Sequence, residues 1–128
     1  MPKALVVDDS PELRLFLGAL FSQLGLEVVT ARDGETALTM AREHRPDIVC
    51  LDLMLPTVSG LEVCSRLKAD PRTAGAPVIM VSARSFPQDR AAADLAGAAA
   101  YLIKPVDRHE FSAQVRSLLW RHRPSAGA

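Results

Sequence analysis

The 128-residue sequence has few of the side chains that bind soft metals or cross-link a chain. It contains two cysteines, Cys50 and Cys64, and three histidines. The cysteines form no CxxC pair and have no histidines at metal-ligand spacing, which argues against a zinc site and against a disulfide scaffold. Cys50 lies inside an apolar run, so we expect its thiol to be part of the core.

Long apolar runs and an excess of one charge are also missing. No stretch approaches the roughly 20 apolar residues of a membrane span. The N-terminus has one lysine and a short apolar run before Asp8, which does not make a signal peptide. The 15 basic and 15 acidic residues give a net charge of zero, so no overall field attracts nucleic acid or anionic lipid. We therefore expect a cytoplasmic protein with no membrane partner and no direct nucleic-acid binding.

A glycine-rich phosphate loop is absent as well, so a bound phosphate would depend on side chains and on amides at strand ends. Apolar strand-like runs alternate with helical patterns along the chain, which predicts one α/β domain with a parallel sheet and helices on both faces. The predicted strands cover residues 4–7, 26–31, 47–53, 78–81 and 100–103. The predicted helices cover residues 11–24, 35–45, 61–69, 88–96 and 108–121.

The fourth helix and the C-terminal residues have weaker sequence patterns than the rest of the chain. The alanine-rich fourth helix has a narrow apolar face, mainly Ala91, Ala92 and Leu95, which predicts shallow packing on the sheet. We expect the domain to span residues 1–123. Residues 124–128 contain proline, serine, glycine and alanine, and we expect them to form a tail or the start of a linker.

Charged side chains follow three of the apolar strands, at the point where each strand ends. Asp8 and Asp9 follow the first strand, and Asp52 follows the third. Lys104 follows the fifth. The carboxyl ends of parallel strands meet at one edge of the sheet, so we expect these side chains to converge. Carboxylates about 5 Å apart repel by roughly 3 kcal/mol per pair at an effective dielectric constant near 20. A hard cation would offset this repulsion, and oxygen ligands alone favour Mg²⁺, or else Mn²⁺.

An aspartate in such a site can attack phosphorus without a general base, because its carboxylate is already deprotonated at neutral pH. Phosphoryl transfer then needs positioning and groups that stabilise the negative charge on the phosphoryl oxygens. The Lys104 ammonium can supply one such group. The Ser82 hydroxyl and the Ala83 backbone amide, which follow the fourth strand, can supply others. The sequence thus indicates a magnesium-assisted phosphoryl site.

Five motifs in this order resemble the receiver domains of two-component response regulators, the CheY-like superfamily. The motifs are Val6-Val7-Asp8-Asp9-Ser10, Leu51-Asp52-Leu53-Met54-Leu55-Pro56 with Gly60 beyond, Val81-Ser82-Ala83, Gly97-Ala98 and Tyr101-Leu102-Ile103-Lys104-Pro105. The resemblance covers nearly the whole chain. It implies a flavodoxin-like (βα)5 three-layer sandwich, in which a five-stranded parallel sheet has the strand order 2-1-3-4-5.

The resemblance also implies a role for each matching residue of the acidic site. Asp52 accepts the phosphoryl group. Asp9 and Asp52 bind Mg²⁺ directly, together with the backbone carbonyl of Met54. Asp8 acts mostly through water, and Lys104 pairs with the phosphoryl oxygens.

A second set of implied roles concerns how the signal leaves the site. Ser82 moves to hydrogen-bond the phosphoryl group beside the Ala83 amide, and Tyr101 follows inward. The peptide bond before Pro105 is cis. A group with nearly two negative charges favours any state that brings donors to it, so the surface of the fourth helix, fifth strand and fifth helix changes. The implied partners are a sensor histidine kinase or histidine phosphotransfer protein and a downstream effector, with a homodimer through that surface as a further option.

Other interpretations stay open at this point. Asp8 and Asp9 are also residues that a helix start attracts, and an isolated lysine such as Lys104 is usually a surface residue. A receiver-like adaptor that is never phosphorylated would keep the fold without the chemistry. A magnesium-dependent phosphohydrolase would need a general acid two residues after its nucleophile, where this chain has Met54. We expect a switch that catalyses only its own phosphorylation and dephosphorylation, and not an enzyme with external turnover.

Overall fold

A computed structural model of the protein describes residues 1–122. Within this range, five strands alternate with five helices. The strands are β1 (Lys3–Val7), β2 (Glu27–Ala31), β3 (Ile48–Asp52), β4 (Val78–Ser82) and β5 (Ala100–Ile103). The helices are α1 (Pro11–Gln23), α2 (Gly34–His44), α3 (Gly60–Ala69), α4 (Pro87–Leu95) and α5 (Arg108–His122). The predicted domain boundary at 123 and the predicted tail at 124–128 lie outside the described residues.

The five strands form one parallel sheet with the order β2-β1-β3-β4-β5. This order confirms the predicted flavodoxin-like fold. The interior strands β3 and β4 are buried along their whole length, which explains why their sequences are apolar on both sides of the pleat. In register, Asp52 lies beside Val81 and Ser82 lies beside Ile103. The ends of β3, β4 and β5 therefore lie next to one another along one edge.

The sheet separates two hydrophobic cores, which gives the three layers of the sandwich. On one face, α1 and α5 pack together, and Phe21 meets Phe111 edge to face with 4.9 Å between ring centroids. On the other face, α2, α3 and α4 contribute Leu38, Val63 and Ala93 to the core. No helix within residues 1–122 is both long enough and apolar enough to span a bilayer.

Short polar residues define where the first three helices begin. The side chains of Ser10, Asp33 and Ser59 each accept a hydrogen bond from the backbone amide three residues further on. Pro11 occupies the first turn of α1, as predicted. After α1 the chain turns at Gly25, whose φ of 90° is accessible to glycine at little cost. The capping residues thus mark where the chain enters α1, α2 and α3 after leaving the carboxyl ends of β1, β2 and β3.

The predicted apolar face of α4 is wrong for two of its three residues. Ala91 is exposed and Leu95 is 90% exposed, whereas Ala93 is buried. Ala92 is half-buried. Alanines occupy so many positions of this helix that no apolar period distinguishes one face from another. The predicted shallow packing is confirmed, because Ala93 is the single buried residue of α4.

Candidate functional site

Three carboxylates meet at the carboxyl edge of the sheet, as the strand ends predict. Asp8 and Asp9 follow β1, and Asp52 is the last residue of β3. Each contributes one oxygen to a group in which all three oxygens lie within 4.8 Å of one another. Asp8 and Asp52 are buried, and Asp9 is exposed. This arrangement can hold a metal ion whose remaining ligands come from the solvent side.

Lys104 reaches this acidic group from the end of β5. Its Nζ lies 3.2 Å from Asp8 Oδ2 and 3.3 Å from Asp52 Oδ2. The backbone amide of Lys104 donates to the Ser82 carbonyl at 2.8 Å, which carries the chain past the end of β4. The Lys104-Pro105 peptide bond is cis, as the resemblance implies. Sequence reasoning assigned this ammonium to phosphoryl oxygens alone and missed its contact with both carboxylates.

The ion pairs with Lys104 change the expected electrostatics of the site. Burial acts to lower the pKa of Lys104, but the charges of Asp52 and Asp8 outweigh it, so its pKa is raised and the ammonium stays protonated. The repulsion among the carboxylates is therefore offset in part by the protein itself. A metal is not the only cation that can make this cluster tolerable.

Asp8 is held on several sides and still has one oxygen that is poorly satisfied. Oδ1 accepts from the Ser10 amide at 2.9 Å, and the backbone carbonyl accepts from Arg14 Nη1 at 2.8 Å. Oδ2 is buried and faces Lys104, but it accepts no well-directed hydrogen bond among the described residues. Such an oxygen fits a further cation or a water bound to one.

Asp52 has two different oxygen environments. Oδ1 accepts from the Met54 amide at 3.0 Å, and Oδ2 faces Lys104. Burial raises the pKa of Asp52; the Met54 amide opposes this, the charge of Asp8 adds to it, and Lys104 opposes it, leaving the pKa above its ordinary value. The ionised form of Asp52 is therefore less favoured in the folded protein than it would be for a solvent-exposed aspartate. A bound divalent cation would favour that form.

Gly60 packs directly beneath the end of β3, which explains the motif that joins it to Asp52. A Cβ at this position would overlap the Asp52 carbonyl oxygen and lie 2.8 Å from the Leu53 Cα. The Gly60 amide donates to the Leu53 carbonyl at 2.9 Å. In the intervening loop, Thr57 has a φ of 63°, a conformation that disfavours a β-branched residue. The loop beside Asp52 is therefore shaped by close backbone contacts.

Ser82 lies at the end of β4 and is fully buried. Its Oγ accepts from the Arg84 amide at 3.0 Å, a local turn that sequence reasoning did not predict. Ala83 is exposed, and Tyr101 is half-buried. The Tyr101 hydroxyl donates to the Arg84 carbonyl at 2.8 Å. Ser82 and Tyr101, the predicted switch residues, are thus connected through Arg84, which forms a hydrogen bond with each of them.

Cys50 lies behind the site and carries no reactive thiolate. Burial raises the pKa of its thiol, and the charges of Asp8 and Asp52 raise it further, with Lys104 opposing them. The thiol is buried in the core formed by α1, α5 and the sheet, as the sequence predicts. The Cys50 thiol is therefore part of the core and not a nucleophile of the site.

Sequence comparison gives the family. The profile of the response regulator receiver domain matches residues 4–116. This chain belongs to that family. The receiver chain is 41% identical over 121 residues to the DNA-binding dual master transcriptional regulator RpaA of Synechocystis sp., covering 94% of this chain and 50% of RpaA. It is 38% identical over 124 residues to the phosphate regulon transcriptional regulatory protein PhoB of Rhizobium meliloti, covering 97% of this chain and 55% of PhoB.

A solved structure agrees with this assignment. The receiver chain superposes on the chemotaxis protein CheY4 of Vibrio cholerae with a TM-score of 0.87 and 28% identity, covering 93% of this chain and 99% of CheY4. Together with the relationship to response regulators, this supports the phosphoacceptor role in two-component signalling that the motifs implied. The receiver chain spans about half the length of RpaA and PhoB.

These relatives correct the expected partners. We expected no direct nucleic-acid binding, partly because the net charge is zero. RpaA is described as DNA-binding and is about twice as long as the stretch that this chain matches. The expectation of no nucleic-acid partner is therefore wrong for regulators of this kind. The physical reason is that net charge sums only the residues of one receiver and carries no information on the rest of a longer regulator.

Proposed function

We propose that Asp52 is the phosphoacceptor of this receiver domain and that Mg²⁺ assists the transfer. The single observation that carries the proposal is the placement of the Asp52 carboxylate. It is buried at a strand end, held by the Met54 amide and within reach of the Lys104 ammonium, with two further carboxylates beside it. A carboxylate with a purely structural role rarely has two carboxylate neighbours, because the repulsion between the negative charges destabilises the fold.

Magnesium fits the oxygen donors of this site better than a soft metal does. Asp8, Asp9 and Asp52 provide carboxylate oxygens, and the resemblance to receiver domains implies the Met54 carbonyl as a further ligand. Mn²⁺ accepts the same donors. When bound, the ion supplies positive charge that stabilises the oxygens of the transferred phosphoryl group. The exposed position of Asp9 leaves that side of the site accessible.

The proposed reaction needs only groups that the site already positions. An oxygen of Asp52 forms a bond to phosphorus, and the bond from phosphorus to the donor breaks, with its electron pair leaving on the donor. The Met54 amide keeps the carboxylate oriented. Lys104 can turn its N–H groups from the carboxylates to the phosphoryl oxygens. Ser82 accepts from Arg84 through its oxygen, so its own proton remains available for a phosphoryl oxygen.

We propose that the donor is a phosphohistidine, on a sensor kinase or a phosphotransfer protein, or a small acyl phosphate. The domain then acts as a switch that catalyses its own phosphorylation and the later loss of the group, with no other substrate. A cytoplasmic setting stays a prediction. By analogy with RpaA, we propose that the signal received by this domain is exerted on DNA.

The direct test is to incubate the protein with MgCl₂ and acetyl phosphate and to weigh the intact protein. We expect a single labile phosphoryl adduct in the wild type and none in Asp52→Ala. Asp94→Asn is the matched control, because it removes an exposed carboxylate far along α4 and should leave the adduct unchanged. An adduct that persists in Asp52→Ala would contradict the assignment, and no adduct in the wild type would favour an unphosphorylated adaptor.

Metal binding is tested separately by titrating MgCl₂ into the protein and following backbone amide resonances. We expect shifts centred on Asp9, Asp52 and Met54. Asp9→Asn should weaken binding without unfolding the domain, because Asp9 is exposed. Unchanged spectra at millimolar MgCl₂ would contradict the metal site.

A further inference from the structure

Arg14 reaches back from the start of α1 to the end of β1. Its Nη1 donates to the backbone carbonyl of Asp8 at 2.8 Å, across a separation of six residues in the chain. Its backbone amide donates to the Ser10 carbonyl at 3.0 Å, so the residue itself belongs to the helix. Side chains of a helix lean towards its N-terminus, which directs Arg14 towards the acidic group. Arg14 therefore joins α1 to the strand end that carries Asp8 and Asp9.

The location of Arg14 is one that helix stability alone does not favour. The free amides at the start of a helix carry a partial positive charge, so a cation close to them is destabilising. Glu12, in the first turn of α1, has the charge that this end of the helix favours. Arg14 is half-buried near the same end. Its contact with the Asp8 carbonyl, outside the helix, is the interaction that offsets this cost.

The contact of Arg14 is with the backbone of Asp8 and not with the carboxylate. Lys104 is the cation that faces the carboxylates of Asp8 and Asp52, at 3.2 and 3.3 Å. Arg14 forms no ion pair with any carboxylate of residues 1–122. Lys104 therefore offsets the negative charge of the site, whereas Arg14 acts on its geometry.

The Asp8 carbonyl belongs to the peptide unit that leads to Asp9. The six atoms from the Cα of Asp8 to the Cα of Asp9 lie in one plane. A donor that fixes the direction of this carbonyl therefore fixes the direction in which Asp9 leaves the strand. The preceding peptide unit is held as well, because the Asp8 amide donates to the Ala31 carbonyl at 3.1 Å. Arg14 thus completes the hold on the backbone of Asp8.

Asp9 depends on this hold more than the other two carboxylates do. Its side chain is exposed, and within residues 1–122 neither its backbone nor its carboxylate forms a hydrogen bond or an ion pair. One of its oxygens nevertheless lies within 4.8 Å of oxygens of Asp8 and Asp52. A metal ligand with no contact of its own has to be ordered by the ion when its backbone is free to move, and this lowers the affinity.

We propose that Arg14 is a positioning residue for metal binding: its hydrogen bond to the Asp8 carbonyl keeps the Asp9 carboxylate beside those of Asp8 and Asp52. The inference rests on the proposed magnesium site and adds a residue that is not itself a ligand. Loss of a residue that supports a metal ligand typically lowers metal affinity about 10- to 100-fold. Arg14 holds a backbone carbonyl and not a ligand oxygen, so we expect a smaller loss, about three- to tenfold.

The test titrates MgCl₂ into the wild type, Arg14→Met and Arg14→Lys and follows backbone amide resonances. Arg14→Met keeps most of the apolar stem and removes the donors, so it should bind Mg²⁺ about three- to tenfold more weakly. Arg14→Lys keeps a charged donor and should show a smaller loss. The sign of the change separates two roles, because a guanidinium that acted only through its charge would repel Mg²⁺ and its removal would strengthen binding. Unchanged or tighter binding in Arg14→Met would overturn the inference.

Two control variants separate positioning from general effects. Arg32→Met removes an exposed cation that follows β2 at the same edge of the sheet and forms no hydrogen bond with Asp8 within the described chain. Ala19→Gly weakens α1 at an exposed position, because glycine is a poor helix former. We expect neither variant to lower the affinity for Mg²⁺. A loss in either control as large as that in Arg14→Met would assign the effect to surface charge or to a weakened helix, and it would overturn the inference.

A readout without metal addresses the same contact directly. In EDTA, the carbonyl carbon resonance of Asp8 and the amide resonance of Asp9 should move in Arg14→Met and stay in place in Ala19→Gly, because only the first variant loses the hydrogen bond. Unmoved resonances, together with unchanged magnesium affinity, would overturn this inference while leaving the magnesium site intact. A wild type whose spectra do not respond to MgCl₂ would contradict both.

Discussion

The two halves of the site are anchored very differently. The acidic half is built on β1 and β3 and flanked by α1, which begins with a capping serine and buries Leu17, Leu20 and Phe21. The other half is built on β4 and β5 and flanked by α4, which begins without a side-chain cap and buries one alanine. Both halves lie at the same edge of the same sheet. The difference indicates that the acidic half of the site is held firmly by α1, whereas the half beside α4 is held weakly.

Burial explains most of this difference. A fully buried leucine or phenylalanine contributes about 1.5–3 kcal/mol relative to an exposed one, and a buried alanine contributes much less. Leu95, the largest apolar residue of α4, is 90% exposed. Segments with few buried apolar contacts open at low free energy, whereas core helices open only when the whole domain unfolds. We therefore expect α4 to exchange its amide hydrogens well before α1 does.

The largest expected effect comes from removing a core side chain of α1. Phe21→Ala should lower the free energy of unfolding by about 3–5 kcal/mol, because the ring is fully buried against Phe111 and leaves a cavity. Urea denaturation followed by circular dichroism measures this loss.

The counterpart on the α4 side is Leu95→Ala. We expect a change within about 0.5 kcal/mol, because the side chain is exposed and the helix keeps a good helix former. A loss from Leu95→Ala as large as that from Phe21→Ala would contradict the proposed contrast between the two helices.

A smaller but more local effect is expected at the loop beside Asp52. Gly60→Ala should destabilise the domain by about 1–3 kcal/mol and weaken magnesium binding, because the new methyl group has to displace the backbone that carries Asp52. Gly75→Ala is the matched control, since no atom lies within 4 Å of a Cβ there, and it should be neutral or slightly stabilising. Denaturant titration and MgCl₂ titration measure the two effects, and unchanged magnesium affinity in Gly60→Ala would contradict the second.

The contrast between α1 and α4 can be tested by removing the cap of α1 and by adding a cap to α4. Ser10→Ala should cost about 1 kcal/mol, because the Leu13 amide loses its acceptor. Phe86→Asp gives α4 the capping residue that it lacks and should slow amide hydrogen exchange in this helix, with a gain of about 0.5–1 kcal/mol. If exchange in α4 is equally fast with the new cap, the missing cap is not what leaves α4 weakly held.

The smallest expected effect is the pH dependence of the cap of α5. Asp107 Oδ1 accepts from the amides of Glu110 and His109, and these hydrogen bonds lower the pKa of Asp107 below 3.8. The stability that the carboxylate contributes is therefore present above pH 3.8 and is lost as pH falls through the lowered pKa of the folded state. The difference in unfolding free energy between the wild type and Asp107→Ala should shrink over that range.

A neutral cap provides the control for this pH dependence. The Ser59 hydroxyl caps α3 and does not titrate, so the difference between the wild type and Ser59→Ala should stay constant over the same pH range. A parallel decrease in both variants would assign the pH dependence to another group.

Local patterns were sufficient to predict much of the fold and of the site. Ser10 and Pro11 marked the start of α1, and the continuous apolar run before Asp52 marked a buried parallel strand. The face of α4 could not be predicted in the same way, because an alanine-rich helix has no clear apolar period. The contact between Arg14 and the Asp8 carbonyl was missed for a different reason: the two groups meet only after β1 ends and α1 begins beside it.

The sequence by itself determined the alternation of strands and helices and the residue types that stand at the strand ends, because both depend on local periodicity and on neighbouring residues. Only the tertiary structure decided that Lys104 bridges Asp8 and Asp52, and that Arg14 of α1 holds the Asp8 carbonyl. These contacts join residues from different strands and helices, and their distances are set by how the sheet is ordered and how the helices pack on it. A one-dimensional pattern contains the chemical groups, but the folded sheet sets which of them meet.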